Sequence, residues 1–360
     1  MMRWGERYRI TIFGSSHGPE VGIEIEGIPE GREIDVALIQ QELDRRRPVG
    51  RRLATKRREE DRIVVDRGIE DGRSKGGFRA HVANEDVRRE PYDRLRATPR
   101  PGHADYPARR RYGPEADLSG GGIFSGRMTV GLVIAGAIGR QLLRPLGMEI
   151  AGFTRSIGSV TADVPADLPI AELRARVAAN EVACPIAEMA EAMEAEIAEA
   201  RRDGDSVGGV IEVRVDGAPV GLGEPFFDSI ESSIAHLAFS VPAVKGIEFG
   251  AGFAAAQMRG SAHNDAFAWK NDRVVTLTNH AGGILGGLAT GMPIVYRVVV
   301  KPTSSIARPQ RTVDLERHAD TEIVVAGRHD PCIVPRAVVV AESIGAIALT
   351  DLALAGGFLR

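Results

Sequence analysis

Cysteine and lysine are both scarce in this 360-residue chain, and aromatic residues make up only 5% of it. The two cysteines, Cys184 and Cys332, exclude a disulfide framework and a four-cysteine zinc site. No H-E-x-x-H pair suggests a zinc enzyme, and no metal site is expected. No G-x-x-x-x-G-K-[ST] loop occurs and no G-x-G-x-x-G opens a helix, so the common nucleotide-binding folds lose their main support. Long hydrophobic runs are missing too. The longest, near residues 128–139, is too short to span a bilayer, and Glu342 and Asp351 interrupt the C-terminal one. The opening MMRWGERYRITIFG lacks the apolar core of a signal peptide. These absences predict a soluble, cytoplasmic protein with no membrane partner.

Arginine fills the basic side that lysine leaves. Only five lysines stand against 41 arginines, inside a net charge of −3. A mildly acidic chain has no general attraction to polyanions. Arginine clusters still carry meaning, because guanidinium grips carboxylate and phosphate through two parallel hydrogen bonds.

Alternating apolar and polar residues predict strands at RYRITIF (7–13), VGIEIEGI (21–28) and GGVIEVRV (208–215). Helical spacing predicts helices at VALIQQELDRR (36–46), MTVGLVIAGAIGRQLLR (128–144), IAEMAEAMEAEIAEARRDG (186–204) and, at the C-terminus, AVVVAESIGAIALTDLAL (337–354). Strand, glycine turn and helix recur in both halves. One compact α+β domain over 1–360 is expected, with pseudo-symmetric halves as an option.

Five clusters could carry chemistry. LDRRRPVGRRLATKRREEDR (43–62) is basic but has no aromatic ring to stack on a base, which argues against nucleic acid. RPGHADYPARRRYGPEADLSGGGIFSGRMT (100–129) joins five arginines, His103 and the glycines Gly120–Gly122, whose backbone N–H groups could point at an anion. GSSHG (14–18) places His17 at a strand end. KPTSSI (301–306) offers one cation and three hydroxyls, and GRHDPCIVPRAV (327–338) sets Asp330 among cations as a general-base candidate. Together they suggest a site for a multiply anionic small molecule. A non-catalytic anion- or RNA-binding protein is the alternative.

In order along the chain, GSSHGPEVGIEIEGIP (14–29), RRRP (45–48), RPGHAD (100–105), GGGIFSGRMT (120–129), DSVGG (205–209), VPAVKGIEFGAGF (241–253), NHAGGILGG (279–287), KPTSSI and GRHDPC (327–332) resemble the chorismate synthase family. The resemblance implies a β-α-β sandwich of antiparallel sheets around central helices, assembled as a homotetramer. It implies a lyase that converts 5-enolpyruvylshikimate 3-phosphate to chorismate and phosphate by 1,4-elimination with reduced FMN. It assigns His17 to the flavin, His103 to the departing phosphate, Asp330 to the ring proton, and Ser16 to orienting the group. Substrate anions fall to Arg46, Arg100, Arg127 and Arg328. Flavin binding falls to Ser125, Pro242, Ala243, Gly286, Lys301, Pro302, Thr303, Ser304, Ser305 and Arg328. In members that reduce their own flavin, the positions of Arg46 and Arg52 are assigned to NADPH, which makes it the candidate reductant here.

Two departures stand out. Ser15 replaces the usual glutamate of G-E-S-H-G. The segment ADLSGGGIFSGR lacks three arginines of the usual R-D-x-R-G-G-G-R, with Ser119 and Ile123 at two of the positions. Arg127 and Arg109–Arg111 are the candidates to replace that charge.

Overall fold

The computed structural model describes residues 2–47, 60–85, 94–113, 119–325 and 329–359. The chain opens with β1 (Arg3–Trp4), β2 (Arg9–Gly14) and β3 (Glu20–Glu26), followed by α1 (Val36–Arg46) and by β4 (Ile63–Glu70) and β5 (Arg73–Ala83). These strands form one antiparallel sheet in the order β1-β2-β3-β5-β4. The alternation read from the sequence is visible in β3, where Val21, Ile23 and Ile25 are buried and Glu26 is exposed. Two short helices, α2 (Arg94–Ala97) and α3 (Asp105–Tyr112), precede the long buried α4 (Thr129–Leu143).

The second half follows the same order. It runs β6 (Glu149–Ile157), β7 (Val160–Thr161), α5 (Ile170–Ala178), α6 (Ala187–Arg202), β8 (Gly209–Asp216), α7 (Ile230–Ser240) and β9 (Val244–Phe249). After α8 (Gly260–His263) come the hairpins β10 (Phe267–Lys270) with β11 (Arg273–Thr276), and β12 (Ile284–Leu285) with β13 (Leu288–Ala289). Then follow β14 (Ile294–Val300), the hairpin β15 (Gln310–Asp314) with β16 (Ala319–Ile323), and α9 (Val334–Ala355). The second sheet is also antiparallel, in the order β7-β6-β8-β14-β9. Set aside the edge strands β1 and β7, and both sheets share one plan. Two antiparallel neighbours (the hairpin β2–β3 in the first sheet; β6 and β8, separated in sequence by β7, α5 and α6, in the second) are followed by a helix, then by two strands added in reversed order, then by a long helix.

The long helices pack between the sheets, as the β-α-β sandwich requires. Glycines allow the close approach. A Cβ on Gly136 of α4 would lie 2.4 Å from Ser343 Cβ on α9, and one on Gly139 would lie 2.7 Å from Thr350 Oγ1. The Tyr296 hydroxyl of β14 donates to the Ala341 carbonyl at 2.7 Å and ties α9 to the second sheet. Although α9 is long and apolar enough to cross a bilayer, 89% of its most apolar window is buried inside the protein, and it is the core helix. It begins three residues before the stretch expected at 337–354, while α1 occupies the expected 36–46.

Arg45 and Arg46, the last residues of α1, project about 100° apart around the helix, and Arg47 follows as the extended C-cap, so the three diverge. Arg45 makes a bidentate pair with the buried Glu342 at 2.6 and 2.9 Å. Arg47 donates to the Glu60 carbonyl at 2.7 Å. Arg46 turns inward to the site described next.

Candidate active site

The N-termini of α4 and α9 open on one cavity of about 630 Å³. Both helix ends carry partial positive charge and orphan N–H groups, which favour anions. Arg46, Arg100, Arg127, Lys245, Lys301 and Arg336 line the walls, with Asp330 as the lining carboxylate among the described residues. Ser125, Pro242, Ala243 and the run Lys301–Ser305 complete much of the surface.

Two buried aspartates hold the arginines. Arg46 is 2% exposed; its Nη1 donates to Asp61 Oδ2 at 2.7 Å and its Nε to Thr129 Oγ1 at 3.1 Å. Arg127 pairs with the other Asp61 oxygen and donates to Asn84 Oδ1 at 2.9 Å. Asn84 in turn donates to the Ser15 and Gly18 carbonyls at 3.0 and 2.8 Å, which connects this arginine to the GSSHG turn. Burial pushes the Asp61 carboxyl up, but Arg46 and Arg127 outweigh it and hold the group below its usual range.

Asp105 plays the same part around His103. Arg100 forks it through Nε at 2.7 Å and Nη2 at 2.8 Å, while His103 Nδ1 lies 2.6 Å from its Oδ1. Against the cost of burial, the hydrogen bonds from Arg100 and His103 keep this carboxyl well below its usual value. His103 Nε2 lies beside Gly121, where a Cβ would come within 3.5 Å, and 3.3 Å from Arg100 Nη2. Arg100 also donates to Ser305 Oγ at 3.1 Å and so reaches the KPTSSI turn. Asp330 accepts from Arg336 Nη1 at 2.7 Å, and its carbonyl accepts from the Thr303 hydroxyl at 2.9 Å. The DSVGG loop braces both turns: Ser206 Oγ donates to the Thr303 carbonyl at 2.7 Å, and Val207 N to the Pro331 carbonyl at 2.8 Å.

Gly120–Gly122 do not begin an anion-binding helix. All three have positive φ, at 58°, 90° and 51°, and they wrap over His17. A Cβ on Gly120 would lie 1.7 Å from His17 Cε1. Ser16 Oγ sits 3.1 Å from His17 Nδ1 and donates to the Gly120 carbonyl at 3.3 Å. Both residues are buried one layer behind the cavity wall, not on it. Gly286 is in the tight β12–β13 turn and is not part of the wall. Arg52 and Arg328 lie outside the described residues.

Arg109–Arg111 do not supply the missing charge. They sit on α3 away from the wall, with Arg109 donating to the Arg96 carbonyl. Lys245, Lys301 and Arg336 stand at the cavity instead. Asp61, Asp105, Asn84 and Lys245 were missed as contributors by sequence reasoning. Asp105 had a signal, since it closes the RPGHAD motif; Asp61, inside the charged run 57–62, and Asn84, at the end of a strand before Glu85, carried no motif that singled them out.

The family model described as chorismate synthase matches residues 8–354. A chorismate synthase of Thermococcus gammatolerans is similar to this chain at 47% identity over 348 residues, covering 96% of each. One of Dehalococcoides mccartyi is similar at 45% identity over 356 residues, covering 99% of this chain and 97% of the relative. A solved structure described as "Crystal Structure of Chorismate Synthase" superposes with a TM-score of 0.78 at 26% identity, covering 98% of this chain and 93% of that one.

Proposed function

The chain belongs to the chorismate synthase family, and on that premise we propose how its cavity carries out the family's reaction. The activity is that of a lyase of the shikimate pathway, releasing phosphate from 5-enolpyruvylshikimate 3-phosphate to give chorismate, with flavin dependence. The observation that carries the assignment of roles is convergence. Motifs spread from Arg46 to Arg336 close on one cavity with six cations on its wall.

Reduced FMN is the flavin of this reading, and when bound it supplies electron density that helps the substrate expel phosphate. The donor set fits such a group. Lys301, the hydroxyls of Thr303–Ser305 and the Pro242–Ala243 turn offer a polar wall for a phosphate-bearing cofactor. Arg46 and Arg127, held in place by Asp61, present guanidinium edges to the substrate's anionic groups without having to be ordered on binding. His103, oriented by Asp105, delivers a proton or hydrogen bond to the departing phosphate. Asp330, fixed by Arg336, takes the ring proton. Ser16 holds His17, which in this reading acts from the flavin side behind the side-chain-free backbone of Gly120.

Arg46 is committed to the cavity through Asp61 and Thr129, which favours the substrate over NADPH as its ligand. NADPH remains the reductant to try against externally reduced flavin. The exposed Phe226, Phe227, Phe253, Phe267, Trp269 and Leu277, all in the second half, support a homotetramer. We place the enzyme in the cytoplasm, as one domain of two topologically equivalent halves.

His103→Ala and Asp330→Asn test the roles. Each is expected to lower turnover on the order of a hundredfold or more while FMN binding, followed by fluorescence quenching, is retained. Near-normal turnover in either variant removes the role given to that residue.

A further inference from the structure

Two of the chain's five lysines line the same cavity. Lys245 reaches it through an irregularity of the sheet. Between β9 and β14 the pairing steps from Gly246↔Val299 to Val244↔Val300, so Lys245 is an extra residue on β9 with no partner of its own. In unbroken register Lys245 would oppose the buried Val300; the bulge gives that place to Val244 and turns the Lys245 side chain off the core face. The preceding Ala243 takes φ 74°, left-handed and uncommon for a residue with a Cβ, and its carbonyl accepts from Lys301 N at 2.9 Å. The two lysines therefore start from neighbouring corners of the sheet. Lys301 Nζ donates to the Gly102 carbonyl at 2.7 Å, and no carboxylate pairs with either lysine among the described residues. Asp330 is taken by Arg336.

We propose that Lys245 and Lys301 form a two-lysine clamp on the phosphate monoester of the bound flavin. The proposal rests on the flavin reading above and adds Lys245, which that reading does not use. Two ammonium groups facing one cavity without a counter-ion repel each other; burial and Lys245 both push the Lys301 pKa down. A dianionic phosphate relieves that repulsion. The flavin phosphate is the better match than the substrate's, because it is retained through turnover and the lysines flank Pro242–Ala243 and the Lys301–Ser305 turn. The substrate's phosphate must leave, and the proton donor His103 with Arg100 serves that step.

The test compares oxidised FMN with riboflavin, which lacks the phosphate, by fluorescence titration of the wild-type chain and of Lys245→Met, Lys245→Gln and Lys245→Arg. In Lys245→Met and Lys245→Gln the FMN Kd should rise about tenfold, with riboflavin affinity unchanged and the salt dependence of FMN binding reduced. Lys245→Arg should recover most of the preference. Equal weakening of both flavins would mean lost packing and would overturn the clamp, as would unchanged FMN affinity. A raised substrate KM with unchanged FMN affinity would move Lys245 to the substrate's phosphate and overturn it too. A wild-type chain that binds neither flavin would instead sink the flavin reading on which the clamp rests.

Discussion

At Gly120 the chain brings its backbone so close to the His17 ring that a side chain has no room. The added Cβ of Gly120→Ala would meet His17 Cε1 at 1.7 Å, and φ is 58° there. Left-handed strain and overpacking add to roughly 2–6 kcal/mol. Gly120→Ala is therefore expected to lower the unfolding midpoint in urea and to lose most activity. Gly77→Ala is the control: nothing lies within 4 Å of its added Cβ and its φ is not left-handed. Equal behaviour of the two variants would show that Gly120 is not needed for contact with His17. The same scale explains what sequence reasoning could and could not reach. His103, Asp330 and Lys301 sit in motifs whose residue types announce their chemistry. Asp61 acts by holding Arg46 and Arg127, and such pairing between distant segments leaves no local pattern, whereas Asp105 holds Arg100 and His103 within its own motif. Lys245 depends on a one-residue slip in strand register, which alternation alone does not reveal.

Between elements, buried ion pairs do the joining. Glu342 on α9 accepts from Arg45 of α1 at 2.6 Å, from Arg140 of α4 at 3.1 Å and from the Gly152 N–H of β6 at 2.7 Å. Complete burial pushes its carboxyl up, but Arg45 and Arg140 prevail and hold it below the usual glutamate value. The folded pKa is depressed, so its stabilising contribution is complete above about pH 4.3 and is lost as pH falls through the lowered value. Asp61 and Asp105 have the same sign. Glu342→Gln should cost about 3–5 kcal/mol, since two arginines are left facing a neutral group. Urea melts from pH 3 to pH 7 should show a shallower acid loss in the variant than in the wild type; identical slopes would contradict the assignment. Element identity was legible where periodicity was strong: α1 occupies the expected 36–46, and α4 and α6 lie within a residue or two of theirs. The β4–β5 pair was not anticipated, because its exposed charges and Gly68, Gly76 and Gly77 obscure the alternation.

Across the whole molecule, two five-stranded antiparallel sheets enclose parallel runs of α4 and α9, and both helix N-termini deliver their motifs to one cavity. The layered order came from resemblance and not from periodicity, since nothing in an alternating segment states which sheet it joins. Six cations meet at one cavity in a chain of net charge −3, a local positive field that favours small anions there. The measurement that tests the account most directly is an anaerobic assay with 5-enolpyruvylshikimate 3-phosphate and photoreduced FMN, following chorismate absorbance and phosphate release together. One phosphate per chorismate is predicted, with no product when FMN stays oxidised and no reductant is present. Adding NADPH to the oxidised reaction then decides whether the chain reduces its own flavin. A folded protein that binds reduced FMN but releases neither product would contradict the account.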